Sequence, residues 1–536
     1  MTTIQRIFTV DGKPFFPLGG QTHNSSAYTM EGLEPAWQAL SLIGANTAEI
    51  PLYWEQVEPK EGQFDWSMLD GLLQAARARD LRLILLWFET WKNGTMKFTP
   101  EWVKSNPTRF WRVISSDGQP LGVLSSHCEA SFVADRRAFA AMIEYLREHD
   151  SAQRTVIAIQ IENEPGIIGS DRDYGPEAEQ AFQNAVPPPL VQAIADAPDS
   201  AATRAWRQHG ARTKGTWPEL FGREAGEFFT AWRTARYVDG IAQAAKAIYD
   251  IPMYTNVWLS ENRWRVAGLS YPAGGPTSNT LDIWKWATPH LDLIAPDIYV
   301  NNSRLYGEIC ATYSRDDNAL FIPESDRNEA AAINVFSAIA EHNAIGYAPF
   351  GIESFLDHQT GSGDALRSEV KPLVESLRCV AAVMPLILRY QGTGKLHAVI
   401  QEEFLNEQYL DLGDYLALAI FGNTDRDLAR SDFRHYSDET TRGRGLVVQA
   451  GERQFYIVGA GYRLVFKKKG SPEAMLSGTQ TTDFLVTRLS NYVRVEEGHF
   501  GEEGAWVTDR RRGGDESDGG IWAAPDVGVV RVVLGD

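Results

Sequence analysis

The sequence predicts an α/β fold, a (β/α)8 TIM barrel followed by a C-terminal β-sandwich-like region. Between about residues 15 and 355, short apolar β-type runs alternate with stretches of helical periodicity. This alternation is typical of parallel strands that are buried on both faces. The length of 536 residues exceeds one compact domain. After about residue 388 only short alternating segments follow, as expected for a β-sandwich.

Eight apolar runs are predicted to form the barrel strands. They are residues 15–20, 45–53, 81–89, 155–164, 251–259, 291–300, 319–325 and 344–353. Between the first two runs, Leu33, Trp37 and Leu40 recur at helical spacing and indicate a crossover helix. No Gly-rich phosphate-binding turn follows the first run, so a closed barrel is favoured over a doubly wound sheet.

The predicted domain organisation has two parts. Residues 1–388 form the catalytic barrel, with an inserted segment at about 167–250, and residues 389–536 form a β-rich domain. The insertion is predicted because the connection is long and contains three consecutive prolines. The charged run at 509–520 is interpreted as a solvated loop.

Composition excludes several classes of function. The formal net charge of −19 disfavours nucleic acid and anionic membrane surfaces, and no apolar run is long enough to cross a bilayer. Cys128, Cys310 and Cys379 are far apart and form no CxxC pair, so neither a disulfide framework nor a zinc site is expected. The first residues lack the pattern of a secretory leader, and the expected location is cytoplasmic, or periplasmic if the sequence begins after a removed leader.

Two carboxylates lie at the ends of predicted barrel strands. Glu164 ends the fourth run and Glu324 ends the seventh. Catalytic groups of such barrels lie at this end, and an unpaired carboxylate on an apolar strand costs several kcal/mol. A salt bridge across the barrel mouth is the alternative explanation. Glycosidic cleavage needs two carboxyl groups, and their separation decides between retention and inversion.

The segment QIENEPG at 160–166 resembles the QIENEYG motif of family 35 β-galactosidases, which are clan A glycoside hydrolases. Residues 53–66, YWEQVEPKEGQFDW, resemble that family's stretch after strand two, and GGQTHNSS at 19–26 resembles the strand-one turn of its bacterial branch. The C-terminal segments are similar to the β-domain of that branch. The resemblance therefore covers nearly the whole chain.

This resemblance implies roles for individual residues. Glu164 becomes the general acid/base, Glu324 the nucleophile and Asn163 the partner of the sugar 2-hydroxyl, while Tyr299 steadies the nucleophile. The implied activity is that of a retaining exo-β-glycosidase, a β-galactosidase that removes terminal β-D-galactose from oligosaccharides such as xyloglucan fragments of plant cell walls. Phe350 stands in the strand-eight region, where many clan members carry Trp.

Alternatives remain open at this point. The same carboxylate pair would serve a β-glucosidase or a transglycosylase or β-glycosyltransferase, and a silent sugar-binding protein is a third possibility. No metal or other cofactor is expected, because the sequence has neither an HExxH motif nor a carboxylate and histidine spacing of a metal site. The expected partner is the β-galactoside or oligosaccharide substrate, and homo-oligomerisation is left open.

Further substrate-binding candidates are polar or aromatic residues near strand ends. They are His23, Asn24, Glu89, Asn256, Trp258, Phe350 and Glu353. Glu162 shares a strand face with Glu164 by simple alternation. An irregularity at the strand end must therefore separate these two glutamates.

Overall fold

A computed structural model describes most of the chain. The described residues are 7–197, 199–261, 265–357, 365–403, 405, 407–421, 442–470, 492–501, 504–513, 515–518 and 520–535.

Seven parallel strands lie side by side in the order in which they occur along the chain. Their bounds are Gly19–Gln21, Thr47–Tyr53, Arg82–Lys92, Val156–Asn163, Met253–Trp258, Leu293–Ile298 and Glu324–Ser325. We refer to them as barrel strands 1 to 7. The strands are almost entirely buried, because helices cover their outer face and side chains fill the interior.

An eighth segment closes the sheet into a barrel. Tyr347 pairs with Leu18 next to strand 1 and with Ile322 next to strand 7, and Phe350 pairs with Gln21. The predicted barrel is therefore confirmed.

The predicted strands at 319–325 and 344–353 are wrong in their extent. The seventh strand is only Glu324–Ser325, and the eighth segment forms isolated bridges. Pro323 and Pro349 explain the difference, because proline has no N–H to donate to a neighbouring strand.

Helices form the outer layer of the barrel. They are Glu34–Leu42, Ser67–Ala78, Glu129–His149, Ala225–Lys246, Leu281–Ala287, Ser303–Tyr313, Glu329–Ala340, Lys371–Ala382 and Met384–Tyr390. The predicted apolar face of the first helix is confirmed, since Trp37 and Leu40 are buried. Ala225–Lys246 packs against Glu129–His149.

The two long connections after strands 3 and 4 carry additional short elements. The first contains the helix Glu101–Lys104 and the hairpin of Arg112–Ile114 with Pro120–Leu124. The second contains Pro176–Gln183, Pro188–Asp196, Ala201–Gln208 and Trp217–Phe221. Other short elements are the hairpin of Thr9–Val10 with Lys13–Pro14, the helix Trp54–Val57 and the 3-10 helices Ser26–Tyr28, Glu31–Leu33, Gly222–Glu224, Ile352–Phe355 and Ser368–Val370.

The C-terminal region consists of two antiparallel sheets. In spatial order, one contains Leu396–Ile400, Arg444–Gln449, Gln454–Ala460, Val529–Leu534, Tyr492–Phe500 and Trp506–Arg512. The other contains Glu407–Leu412, Tyr415–Phe421, Tyr462–Lys468 and Ile521–Ala523. Side chains from both sheets share one apolar cluster, as in a β-sandwich. The division of the chain at 388 and 389 stays a prediction, and the change from helix to strand falls between Tyr390 and Leu396.

The loop predicted at 509–520 is wrong for its first residues. They belong to the strand Trp506–Arg512, and Asp515–Asp518 forms a short helix. The charged side chains are accommodated in the strand because Arg510 and Arg512 both pair with Glu497 on the adjacent strand.

All three cysteines are buried and unbridged. Among the described residues, no helix has the length and apolar character that a membrane span requires.

Candidate active site

The carboxyl-terminal ends of the barrel strands surround a pocket of about 380 Å³. Glu164 directly follows strand 4, and Glu324 begins strand 7. Both side chains line this pocket although they are largely buried. The structure therefore brings together the two glutamates that the sequence singled out.

A third carboxylate, Asp297 near the end of strand 6, completes a cluster with these two glutamates. One carboxylate oxygen from each of Glu164, Asp297 and Glu324 lies within 4.8 Å of the other two. The strand register explains this proximity, because the Cα atom of Asp297 pairs directly with that of Glu324. Three carboxyl groups this close cannot all be ionised at modest cost, so the site retains a proton near neutral pH.

The side chain of Asn256 on strand 5 connects the cluster. Its Oδ1 accepts the backbone N–H of Glu164 at 2.7 Å, and its Nδ2 donates to Asp297 Oδ2 at 2.8 Å. A longer contact of 3.4 Å joins Nδ2 to Glu324 Oε1. One amide thus fixes the relative positions of three strand ends.

Three further groups surround Glu324. The Tyr299 hydroxyl donates to Oε2 at 2.7 Å, and Asn163 Nδ2 donates to Oε1 at 3.3 Å. Asn163 is itself held by Lys92, whose ammonium donates to its Oδ1 at 2.8 Å. These donors stabilise the ionised carboxylate.

Burial is the main influence on the protonation of the cluster. It raises the pKa of Glu324 to about 7, and the charge of Glu164 adds to the rise, whereas Lys92, Tyr299 and Asn163 oppose it. Burial and the two glutamate charges also raise the pKa of Asp297 well above its usual range. Burial lowers the pKa of the Lys92 ammonium.

The ends of strands 3 and 4 are joined by three contacts between consecutive residues, which we call the strand-end clamp. The Trp91 N–H donates to Glu162 Oε2 at 2.7 Å, Lys92 donates to Asn163, and the Asn93 amide donates to Glu164 Oε2. Residues 91–93 therefore hold residues 162–164 in a fixed register.

An irregular backbone makes the clamp possible. Strand 3 advances five residues from Trp87 to Lys92 while its partner advances two, from Ile161 to Asn163. Glu162 and Glu164 both have left-handed backbones, with φ of 63° and 48°. Such conformations are unfavourable for residues with a Cβ atom and occur where surrounding contacts enforce them.

This irregularity separates the two glutamates as the sequence required. Glu162 points into a second buried carboxyl cluster with Glu89 and Asp135. Asp135 accepts hydrogen bonds from the Thr90 and Tyr237 hydroxyls, and burial raises the pKa of Glu162 and Glu89 well above the usual range. Among the described residues, these two carboxyl clusters are the groups with ligand atoms close enough to hold a metal ion.

The other predicted site residues fall into two sets. Asn24, Trp258, Tyr299 and Phe350 line the pocket, and Trp258 is 38% exposed. An exposed indole face of this kind can stack on a sugar ring.

His23, Glu353 and Glu89 lie outside the pocket lining. The backbone N–H of His23 donates to both oxygens of Glu353, and the His23 ring contacts Ser354. These two residues therefore fix a turn behind Phe350. Glu89 is fully buried in the second carboxyl cluster. Its placement does not support the prediction of substrate contact.

Sequence reasoning missed Lys92, Asn93 and Asp297, which line the pocket. Asp297 interrupts an apolar strand in the same way as Glu164 and Glu324, so the desolvation argument could have found it. Lys92 and Asn93 were missed because the predicted strand ended at Glu89, whereas the observed strand continues to Lys92.

Two family models match parts of the chain. Residues 29–209 match the glycoside hydrolase family 42 model described as "Beta-galactosidase". Residues 373–524 match a domain of unknown function, DUF5597. The expectation of a family 35 member is therefore wrong, because residues 29–209, which include Glu164, match the family 42 model. The QIENEPG motif around Glu164 resembles a family 35 motif, but it does not distinguish family 35 from family 42.

A curated β-galactosidase from Xanthomonas manihotis is 30% identical over 179 residues. The match covers 31% of this chain and 26% of that protein, so the chain spans about a quarter of its relative's length.

Among solved structures, a catalytic mutant of the family 42 β-galactosidase Gan42B from G. stearothermophilus has a TM-score of 0.49 at 14% identity. The match covers 70% of this chain and 57% of the Gan42B chain. The catalytic domain of a β-amylase from Paenibacillus polymyxa has a TM-score of 0.49 at 13% identity, covering 68% and 98% of the respective chains.

Proposed function

We propose that the protein is a retaining exo-β-galactosidase with Glu324 as nucleophile and Glu164 as general acid/base. The observation that carries this proposal is the short separation of the two carboxyl groups, whose nearest oxygens lie within 4.8 Å. Retaining glycosidases have carboxyl groups roughly 5–5.5 Å apart, whereas inverting enzymes need roughly 6.5–9.5 Å to admit water. The observed spacing supports attack by a carboxylate.

The contacts of each group support its role. Glu324 attacks the anomeric carbon while Glu164 protonates the departing oxygen, and water then releases the sugar with Glu164 as base. Tyr299 and Asn163 donate hydrogen bonds to Glu324 and hold it in line for attack. The amide of Asn93, which belongs to the strand-end clamp, donates to Glu164 and holds its carboxyl group in the cluster.

Galactose is proposed as the sugar because both the family model and the curated relative carry the description β-galactosidase. Action on terminal residues, and plant cell-wall oligosaccharides such as xyloglucan fragments as natural substrates, are the finer parts of the proposal. Trp258, which lines the pocket and is partly exposed, offers a stacking surface for a sugar ring.

The proposal is tested with nitrophenyl β-glycosides of galactose, glucose, fucose, arabinose and glucosamine. We expect the galactoside to have the highest kcat/KM, and NMR of the first product to show the β-anomer. A dominant glucoside would identify a β-glucosidase instead. An α-anomer as first product would contradict the retaining mechanism.

Two additional measurements separate the remaining rivals. Oligosaccharide formation that exceeds free galactose at high acceptor concentration would identify a transglycosylase. Sugar binding without cleavage of any glycoside in the panel would identify a sugar-binding protein.

A further inference from the structure

Asp297 is a buried carboxylate for which the proposed mechanism has no task. Only 3% of the residue is exposed, and its Oδ1 atom has no hydrogen-bond partner among the described residues. It lines the same pocket as Glu164 and Glu324. A buried carboxylate oxygen without a hydrogen-bond partner is costly, so the retention of Asp297 in the site requires a physical reason.

Glu164 lies beside Asp297 in this cluster, with one carboxylate oxygen of each within 4.8 Å of the other. Their side chains are within hydrogen-bonding reach of each other, while Oδ2 of Asp297 is occupied by the Asn256 amide. Two carboxyl groups at this distance form a stable contact when one proton lies between them, as in other carboxyl pairs that share a site.

We propose that Asp297 is a positioning residue that shares the acid proton with Glu164, so that a carboxyl–carboxylate pair serves as the acid/base. This inference rests on the proposed function of Glu164. Before reaction, Glu324 is ionised and the pair holds one proton. The negative charge of the pair resists loss of that proton to solvent.

The pair would act in both steps of the reaction. In the first, Glu324 bonds to the anomeric carbon, the bond to the leaving oxygen breaks, and the proton moves from Glu164 to that oxygen. In the second, a water oxygen bonds to the anomeric carbon, its proton moves to Glu164, and the bond to Glu324 breaks. The doubly ionised pair present between these steps is a stronger base for water than a single carboxylate.

The surroundings of Asp297 define what else could titrate with it. The charged or titratable groups that face the cluster are Lys92 on strand 3, Glu164 after strand 4, Tyr254 on strand 5, Tyr299 after strand 6, Tyr313 on the following helix and Glu324 on strand 7. Lys92 is the cation among them and is bonded to Asn163. Glu49 on strand 2 interacts with Glu324.

The test is the pH dependence of kcat/KM in Asp297→Asn, which keeps an acceptor for Asn256 but removes the charge. We expect the basic limb to move to lower pH by about 1–3 units, as for loss of a like charge at this distance. Above the new limb, activity should fall on lactose-type substrates and persist on a dinitrophenyl galactoside, whose leaving group needs no proton. Asp297→Ser serves as the second variant.

Glu49→Gln is the matched control, because it alters another fully buried carboxyl group that interacts with Glu324. Its basic limb should coincide with that of the wild type. A folded Asp297→Asn enzyme with an unmoved basic limb would overturn the proposal.

A second measurement does not depend on activity. Selective 13C labelling of aspartate carboxyls should reveal an aspartate whose pKa lies well above the usual range and whose signal is missing from Asp297→Asn, which distinguishes it from the buried Asp135. If every aspartate titrated below about pH 5, the usual carboxyl range, the shared proton would be excluded. Absence of glycosidase activity alongside such a titrating aspartate would instead refute the proposed function alone.

Discussion

At the scale of single residues, the candidate site is defined by groups that are expensive to bury. Glu164 and Glu324 could be predicted from the sequence because each places a carboxylate at the end of an apolar strand. Asp297 also lies in an apolar strand, so the same argument from the cost of burial could have identified it. The network through Asn256 could not be predicted, since it depends on which strand ends become neighbours.

The two catalytic assignments predict different losses. Glu324→Gln should abolish turnover of all substrates, because no covalent bond to the sugar can form. Glu164→Ala should lower kcat about 10²–10⁴-fold on poor leaving groups but retain slow turnover of activated aryl galactosides. Azide should accelerate the latter variant and yield a β-galactosyl azide. A β-galactosyl azide from Glu324→Gln, in place of the α-azide that a nucleophile variant gives, would reverse the two roles.

Lys92 should set the pH at which kcat/KM falls on the acidic side of its pH profile. Since Glu324 must be ionised to attack and its pKa is raised to about 7, kcat/KM should fall as the pH drops through that region. Lys92 lowers this pKa, so Lys92→Met should move the acidic limb to higher pH. Lys97 is exposed, so Lys97→Met provides the control. The acidic limb of its kcat/KM profile should lie at the same pH as that of the wild type. A shift of the Lys92→Met limb to lower pH would contradict this assignment.

At the scale of secondary-structure elements, strands 3 and 4 act as one unit. The bulge in strand 3, with the left-handed backbones of Glu162 in strand 4 and Glu164 directly after it, places the two glutamates in different environments. Strand periodicity alone predicts that both glutamates share a face, so the sequence indicates a conflict without resolving it. Pro323 and Pro349 similarly shortened strands that the apolar pattern predicted as continuous.

Gly166 should be essential to the turn after Glu164. Its φ is 139°, and an added Cβ would lie 2.6 Å from the carbonyl oxygen of Ala273. Gly166→Ala should therefore destabilise the protein by about 1–3 kcal/mol and reduce kcat by displacing the turn. Thermal unfolding and kcat on a nitrophenyl galactoside measure both effects.

Gly118→Ala is the matched control for this substitution. Gly118 also has a positive φ, of 80°, but no atom lies within 4 Å of the position that an added Cβ would occupy. It should show only the backbone cost of about 1–2 kcal/mol and normal kcat. Equal kcat in the two variants would show that the turn does not position Glu164.

At the scale of the whole molecule, the barrel and the six-stranded C-terminal sheet share one apolar core. Leu446, Val448 and Tyr456 belong to the same buried cluster as the barrel helices. Arg444 reinforces this contact, because its guanidinium donates to Ser376 Oγ at 2.9 Å and to Glu375 at 2.6 Å. The C-terminal strands could be predicted from the alternation of apolar and polar residues, but their attachment to the barrel could not.

The cytoplasmic location expected from the sequence stays a prediction.

Arg444→Met should lower the stability of both regions together. The residue is 1% exposed, and its loss removes the guanidinium donor to Ser376 Oγ and one of the two donors to the Pro372 carbonyl. We expect a cost of about 1–3 kcal/mol in one calorimetric transition. Lys469→Met, which removes an exposed pair with Asp411, should change stability by less than about 1 kcal/mol. Two separated transitions in the Arg444 variant would show that the regions unfold independently.

The strand-end clamp also limits how this candidate site can change during evolution. Because residues 91–93 contact residues 162–164 one for one, an insertion or deletion in either segment would misalign all three contacts at once. New substrate preferences would arise by changing the connections beyond the clamp, which loops tolerate readily. A designer who transfers Glu164 to another barrel would need to move both segments together.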